Sequence, residues 1–118
     1  MPRGPILVID DDPDICAILQ KTLEREGYRV VTAQDGMHAI RAYELNRPSM
    51  LFVDLMMPNL DGEELLRVLG SRRPPVVLVT ASVRRAEVAE RFEIDDALEK
   101  PFELESIKRL ALKHLGPP

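Results

Sequence analysis

Three short runs, "PILVI" at 5–9, "MLFV" at 50–53 and "VVLV" at 76–79, are almost uninterrupted in apolar residues, and the first two are followed directly by aspartate. A strand with one solvated face alternates apolar and polar side chains; a strand covered on both faces does not. Such runs call for a parallel sheet held between two layers. "RVVTA" at 29–33 fits a further strand, and "DALE" at 96–99 a short fifth one. A chain of 118 residues is long enough to bury one sizeable core.

Helical periodicity fills the gaps between these runs. Asp12 and Pro13 open the first helix as N-cap and first helical residue, Ile15, Ile18, Leu19, Thr22 and Leu23 form its apolar stripe, and Gly27 stops it. A second is expected over 36–46 with Ala39, Ile40 and Tyr43 inward, and a third after Gly62 with Leu65, Leu66 and Leu69 inward. The fourth is expected from Ser82 to about Phe92. The fifth is expected over 103–115, presenting Leu104, Ile107, Leu110 and Ala111. Strand and helix alternate five times, which predicts a doubly wound α/β sheet in a single domain over 1–118, with its core at about 5–115.

Composition narrows the function classes. The formal net charge of −4 gives no electrostatic reason to bind nucleic acid or anionic lipid. The longest apolar runs, of four or five residues, are too short to cross a bilayer, and "MPRGP" has no apolar core of a secretory signal. Cys16 is the single cysteine, which excludes an internal disulfide and fits a reducing cytoplasm; its place in a helical stripe predicts packing. The expectation is a cytoplasmic protein without direct nucleic-acid binding or membrane insertion.

In an open parallel sheet, ligands bind outside the carboxyl ends of the strands. Those ends carry Asp10, Asp11 and Asp12 after the first strand, Asp54 after the third, Thr80 after the fourth and Lys100 after the fifth. Taken singly, an acid after a strand commonly caps a helix or solvates a loop; matching strand ends taken together point to a shared site. Two carboxylates about 4 Å apart repel by about 4 kcal/mol at an effective dielectric near 20. A cluster of them calls for cations, of which Lys100 is one and a divalent ion would be the other. The donors are all oxygen, no cysteine lies among them, and neither His38 nor His114 follows a strand, so both are expected to face solvent. That chemistry suits Mg²⁺ or Mn²⁺ rather than zinc. A carboxylate beside such an ion can attack phosphorus and form an acyl phosphate, with Lys100 and Thr80 contacting the phosphoryl oxygens.

"ILVIDDDPDI", "VDLMMPNLDG", "VVLVTAS" and "EKPF", in that order, resemble the receiver domain of two-component response regulators, over about 5–115. The resemblance implies the flavodoxin-like (CheY-like) fold with strand order 2-1-3-4-5. It implies Asp54 as phospho-acceptor, with Asp11 a direct metal ligand, Asp10 acting through water and Met56 offering its backbone carbonyl. It further implies Thr80 as switch hydroxyl, Lys100 as phosphate partner and a cis Lys100–Pro101 bond. The implied partners are a sensor histidine kinase or histidine phosphotransfer protein, and a downstream protein on the face of the fourth helix, fifth strand and fifth helix. Receivers often carry an aromatic residue three positions before the lysine; here it is Ala97, so inward rotation of a ring cannot report phosphorylation.

The expected function is a phospho-accepting signalling switch that assists its own phosphotransfer and autodephosphorylation, not a turnover enzyme. Ala97 motivates an alternative, a degenerate receiver that binds partners without phosphate. A dehalogenase-type phosphatase is disfavoured because Met56 stands where a second Asp would act as general acid. A flavodoxin-like binder is disfavoured because "DDDPDI" replaces a phosphate-cradling loop. The chain ends at "KHLGPP", which leaves a stand-alone receiver and an excised piece of a longer protein both open.

Overall fold

The computed structural model describes residues 3–118; residues 1 and 2 of the expected 1–118 unit lie outside the described residues. The strands are β1 (Ile6–Ile9), β2 (Val30–Ala33), β3 (Met50–Val53), β4 (Val76–Thr80) and β5 (Asp96–Glu99). Alternating with them are α1 (Pro13–Arg25), α2 (Gly36–Asn46), α3 (Gly62–Leu69), α4 (Arg85–Arg91) and α5 (Leu104–Leu115). All strand pairs are parallel, in the order β2-β1-β3-β4-β5, as expected.

Side chains of successive strand residues point to opposite faces, and each face has its own core. Ile6, Val8, Met50, Phe52, Val77 and Val79 pack with Cys16, Leu19 and Leu23 of α1 and Ile107, Leu110 and Ala111 of α5. Leu7, Ile9, Leu51, Val53, Val76 and Leu78 pack with Ala39 of α2, Leu65 and Leu66 of α3 and Val88 of α4. Two filled faces are the reason the central strands read as continuous apolar runs. The outer strands β2 and β5 are only part-buried and correspondingly more polar.

Local chemistry sets the helix ends. Asp12 caps α1 by accepting from the Asp14 N–H at 2.9 Å, with Pro13 at the first turn. The chain leaves α1 through Gly27 at φ 103°, a left-handed conformation that L side chains rarely adopt. Asp61 and Glu64 form a reciprocal capping box on α3. A Cβ on Gly62 would lie 2.4 Å from the Asp54 carbonyl oxygen, so only glycine lets α3 start this close to β3.

Four expectations need correction. Helix α4 begins at Arg85 rather than Ser82, because Ser82 Oγ accepts from the Arg84 N–H and holds a turn there. Leu104 is 42% exposed and Ile18 45% exposed, although both were expected in inward stripes. Leu104 is the first residue of α5, outside the layer that Ile107, Leu110 and Ala111 form. His114 does not face solvent: its Nε2 lies 2.6 Å from Asp96 Oδ2, because the last turn of α5 passes the start of β5. Among the described residues no helix is long and apolar enough to cross a membrane.

The fold yields two stability predictions. Gly62→Ala should lower stability by about 1–3 kcal/mol through overpacking, read as a lower urea midpoint with an unchanged slope. Burial opposes ionisation of Asp96, but hydrogen bonds from Lys113 and His114 outweigh it and hold the carboxyl below its ordinary value. A depressed folded-state pKa stabilises above the unfolded value of 3.8, and that stability is lost as pH falls through the folded value. Asp96→Asn should therefore cost about 0.5–1 kcal/mol at neutral pH, and the gap to the parent should close in acid.

Candidate metal and phosphoryl site

The parallel register brings the strand tips to one edge of the sheet. Ile9 of β1 pairs with Val53 of β3, so the next residues, Asp10 and Asp54, emerge side by side. Their backbones continue the ladder: the Asp10 N–H donates to the Ala33 carbonyl at 3.1 Å, and the Asp54 N–H to the Ile9 carbonyl at 2.9 Å. Both aspartates are buried, at 3% and 4% exposure. The Lys100 N–H donates to the Thr80 carbonyl at 3.1 Å, carrying the lysine past the end of β5, and its bond to Pro101 is cis.

Lys100 reaches back over this edge. Its ammonium donates to Asp10 Oδ2 at 2.7 Å and to Asp54 Oδ2 at 2.9 Å. The other carboxylate oxygens accept from backbone: Asp10 Oδ1 from the Asp12 N–H and Asp54 Oδ1 from the Met56 N–H, each at 3.0 Å. Charge-assisted bonds of this kind are what allow two buried carboxylates to persist. Burial nevertheless raises the Asp10 carboxyl above its ordinary value, against the lowering pull of Lys100 and the Asp12 N–H. Burial also opposes the charge on Lys100, but its bonds to Asp10 and Asp54 prevail and raise its pKa.

Asp11 stands at the exposed rim, and oxygen atoms of Asp10, Asp11 and Asp54 all lie within 4.8 Å of one another. Three carboxylates against one ammonium leave an excess of two negative charges when all are ionised. An all-oxygen donor set with that charge fits a hard divalent cation, so the residues present are suited to hold one.

The structure thus gathers Asp10, Asp11, Asp54 and Lys100 into one cluster. Thr80 ends the neighbouring strand, fully buried, with its Oγ1 accepting from the Ser82 N–H at 3.2 Å; among the described residues its hydroxyl makes no hydrogen bond to Asp54 or Lys100. Met56 meets the site through its backbone, and its side chain is exposed. Asp12 serves as a cap, as expected. Sequence reasoning missed one contact. Cys16 packs in the core as expected, but its thiol also donates to the Asp10 carbonyl at 3.3 Å, and burial together with the Asp10 charge pushes its pKa up to about 11. Nothing in the spacing of a lone cysteine on an apolar stripe could have signalled that contact.

Comparison with known proteins agrees with this geometry. A family model described as "Response regulator receiver domain" matches residues 6–111. The alkaline phosphatase synthesis transcriptional regulatory protein PhoP of Bacillus subtilis is 38% identical over 101 residues, covering 82% of this chain and 42% of that protein. The response regulator MprA of a Mycobacterium species is 41% identical over 109 residues, covering 86% of this chain and 46% of MprA. The chain therefore spans less than half the length of these relatives. Among solved structures, the response regulator TrrA of Thermotoga maritima in complex with Mg²⁺-BeF superposes with a TM-score of 0.83 at 26% identity, covering 95% of this chain and 99% of TrrA. Strand order, clustered acids and a family match over nearly the whole chain lead to one conclusion: this chain belongs to the response regulator receiver domain family of two-component systems.

Proposed function

We propose that this receiver is a phospho-accepting switch whose acceptor is Asp54. The observation that carries the reading is the shared grip of Lys100 on Asp10 and Asp54, two buried carboxylates at adjoining strand tips. The donor is the phosphohistidine of a sensor histidine kinase or a histidine phosphotransfer protein. An Asp54 carboxylate oxygen attacks phosphorus, the P–N bond breaks, and its electron pair goes to the leaving imidazole nitrogen, which takes a proton from solvent; an acyl phosphate remains on Asp54.

Asp10, Asp11, Asp54 and the Met56 carbonyl would hold Mg²⁺ (or Mn²⁺), Asp11 directly and Asp10 through water. When bound, the ion supplies charge neutralisation at the phosphoryl oxygens. Lys100 passes from Asp54 Oδ2 to a phosphoryl oxygen and keeps its bond to Asp10. The Thr80 hydroxyl accepts from Ser82 and keeps its own proton to donate to the phosphoryl group. The chain assists transfer and its own dephosphorylation without being a turnover enzyme, and it acts in the cytoplasm. The downstream protein docks on the face formed by α4, β5 and α5, and neither nucleic acid nor membrane is bound directly by this chain.

Mass spectrometry after incubation with acetyl phosphate and Mg²⁺ tests the reading. The parent chain should gain one phosphoryl group, and chelating the metal with EDTA should abolish the gain. Asp54→Asn should remain unlabelled; labelling at the parent's rate would remove Asp54 from the acceptor role. Lys100→Ala should slow labelling by about a hundredfold, the scale of losing one transition-state cation or donor. Ala97, part-buried in β5, supports the alternative of a phosphate-independent binding module. Equal partner affinity with and without beryllofluoride would favour that alternative, since a ligand shifts a switch only by binding its two states differently.

A further inference from the structure

Glu63, the second residue of α3, is buried at 8% exposure, an expensive place for a carboxylate without cations. Three arginines from different places surround it. Arg67 of α3 lies at 2.9 Å, Arg91 of α4 at 2.6 Å, and Arg84, immediately before α4, at 2.9 Å. The Arg67 pair stays within one helix and ties nothing together. Arg84 and Arg91 instead fasten α4 and its leading turn to α3.

Two lines of contact run from Glu63 back to the acceptor site. On one side is Gly62, pressed against the Asp54 carbonyl, whose N–H donates to the Leu55 carbonyl at 3.3 Å. On the other, the Arg84 N–H donates to Ser82 Oγ at 3.1 Å and the Ser82 N–H to Thr80 Oγ1 at 3.2 Å. Glu63 thus sits midway on a path of contacts that runs from Asp54 through Gly62, Glu63, Arg84 and Ser82 to Thr80, and Lys100 closes it into a ring by donating its N–H to the Thr80 carbonyl and its ammonium to Asp54. The α3 end of the ring is rigid, held by the Asp61–Glu64 capping box. The α4 end is not: α4 has no side-chain cap, and Val88 is the one buried residue among its seven. Ala89 and the capping Phe92 add part-buried packing against the sheet, and the ion pairs to Glu63 are the links that tie α4 and its leading turn to α3.

We propose that Glu63 is a positioning residue for the phospho-acceptor site: by gripping Arg84 it fixes the resting place of the 80–84 turn and of α4, and so opposes the shift that brings Thr80 to a phosphoryl group on Asp54. The proposal rests on the acceptor reading above. A phosphoryl group adds three strong acceptor oxygens beside Asp54. A turn drawn toward them pulls Arg84 away from a carboxylate that cannot follow. Loosening that grip therefore makes the phosphoryl-bound arrangement easier to reach.

Beryllofluoride with Mg²⁺ is the probe, its binding followed by fluorine NMR on the parent chain, Glu63→Gln, Arg84→Met, their double variant and Arg67→Met. Glu63→Gln and Arg84→Met should bind about threefold to tenfold more tightly than the parent, and the double variant no more tightly than either single one. Arg67→Met should bind as the parent does. A merely structural role would lower stability without raising affinity. Should Glu63→Gln fail to fold, Arg84→Met tests the same grip at a side chain that is 51% exposed. Unchanged or weaker binding by Arg84→Met, with the parent still binding, overturns the role of Glu63 and leaves the acceptor reading standing. No binding by the parent overturns both.

Discussion

One ammonium group shared by two buried carboxylates is the constraint around which the rest of this receiver is arranged. Lys100 lies within 2.9 Å of Asp54 and closer still to Asp10, and each aspartate is nearly removed from water. Without that charge, two such carboxylates at adjoining strand tips would repel by several kcal/mol at about 4 Å in the protein interior. Each requirement on the fold follows from this arrangement. β1 and β3 must be neighbours in register, and β5 must end on the same edge so that the Lys100 side chain can reach both carboxylates.

The two apolar layers make those placements rigid. Every residue of β1 and β3 is buried, so a one-residue slip would turn each side chain to the wrong face and displace both aspartates together. The helices that follow are started by side chains close to the site: Asp12 opens α1 two residues after Asp10, and Asp61 opens α3 beyond the Asp54 loop. Placement of the acids and initiation of the helices are accomplished by the same short stretches. α4 differs in having a single buried residue, Val88, with Arg84 and Arg91 tying it to Glu63 of α3.

What could be read from the sequence, and what could not, divides along physical lines. Apolar runs report burial on both faces, so the central strands and their acidic tips were legible at once. The order of the strands, the cis Lys100–Pro101 bond and the duties of single residues came from resemblance to a family, because periodicity alone carries no information about which strand pairs with which. The start of α4 was misplaced because Ser82 holds a turn through its hydroxyl, a local hydrogen bond that competes with helix and leaves no periodic trace. His114 and Glu63 were hidden for another reason. Their partners, Asp96 on one side and three arginines on the other, lie on other elements or loops apart from Arg67, and pairing across elements leaves no trace in the spacing of either segment.

β5 forms one outer margin of the sheet, opposite β2, and its polar composition bears on what can pair with it. An open margin offers unpaired amide and carbonyl groups to any extended segment that drifts alongside. Here that margin is four residues long, with Asp96 at its start and Glu99 at its end. The carboxylates at its two ends are tied to Lys113 and His114 on one side and to Arg85 on the other, so a segment approaching this margin meets paired charges rather than a flat apolar edge.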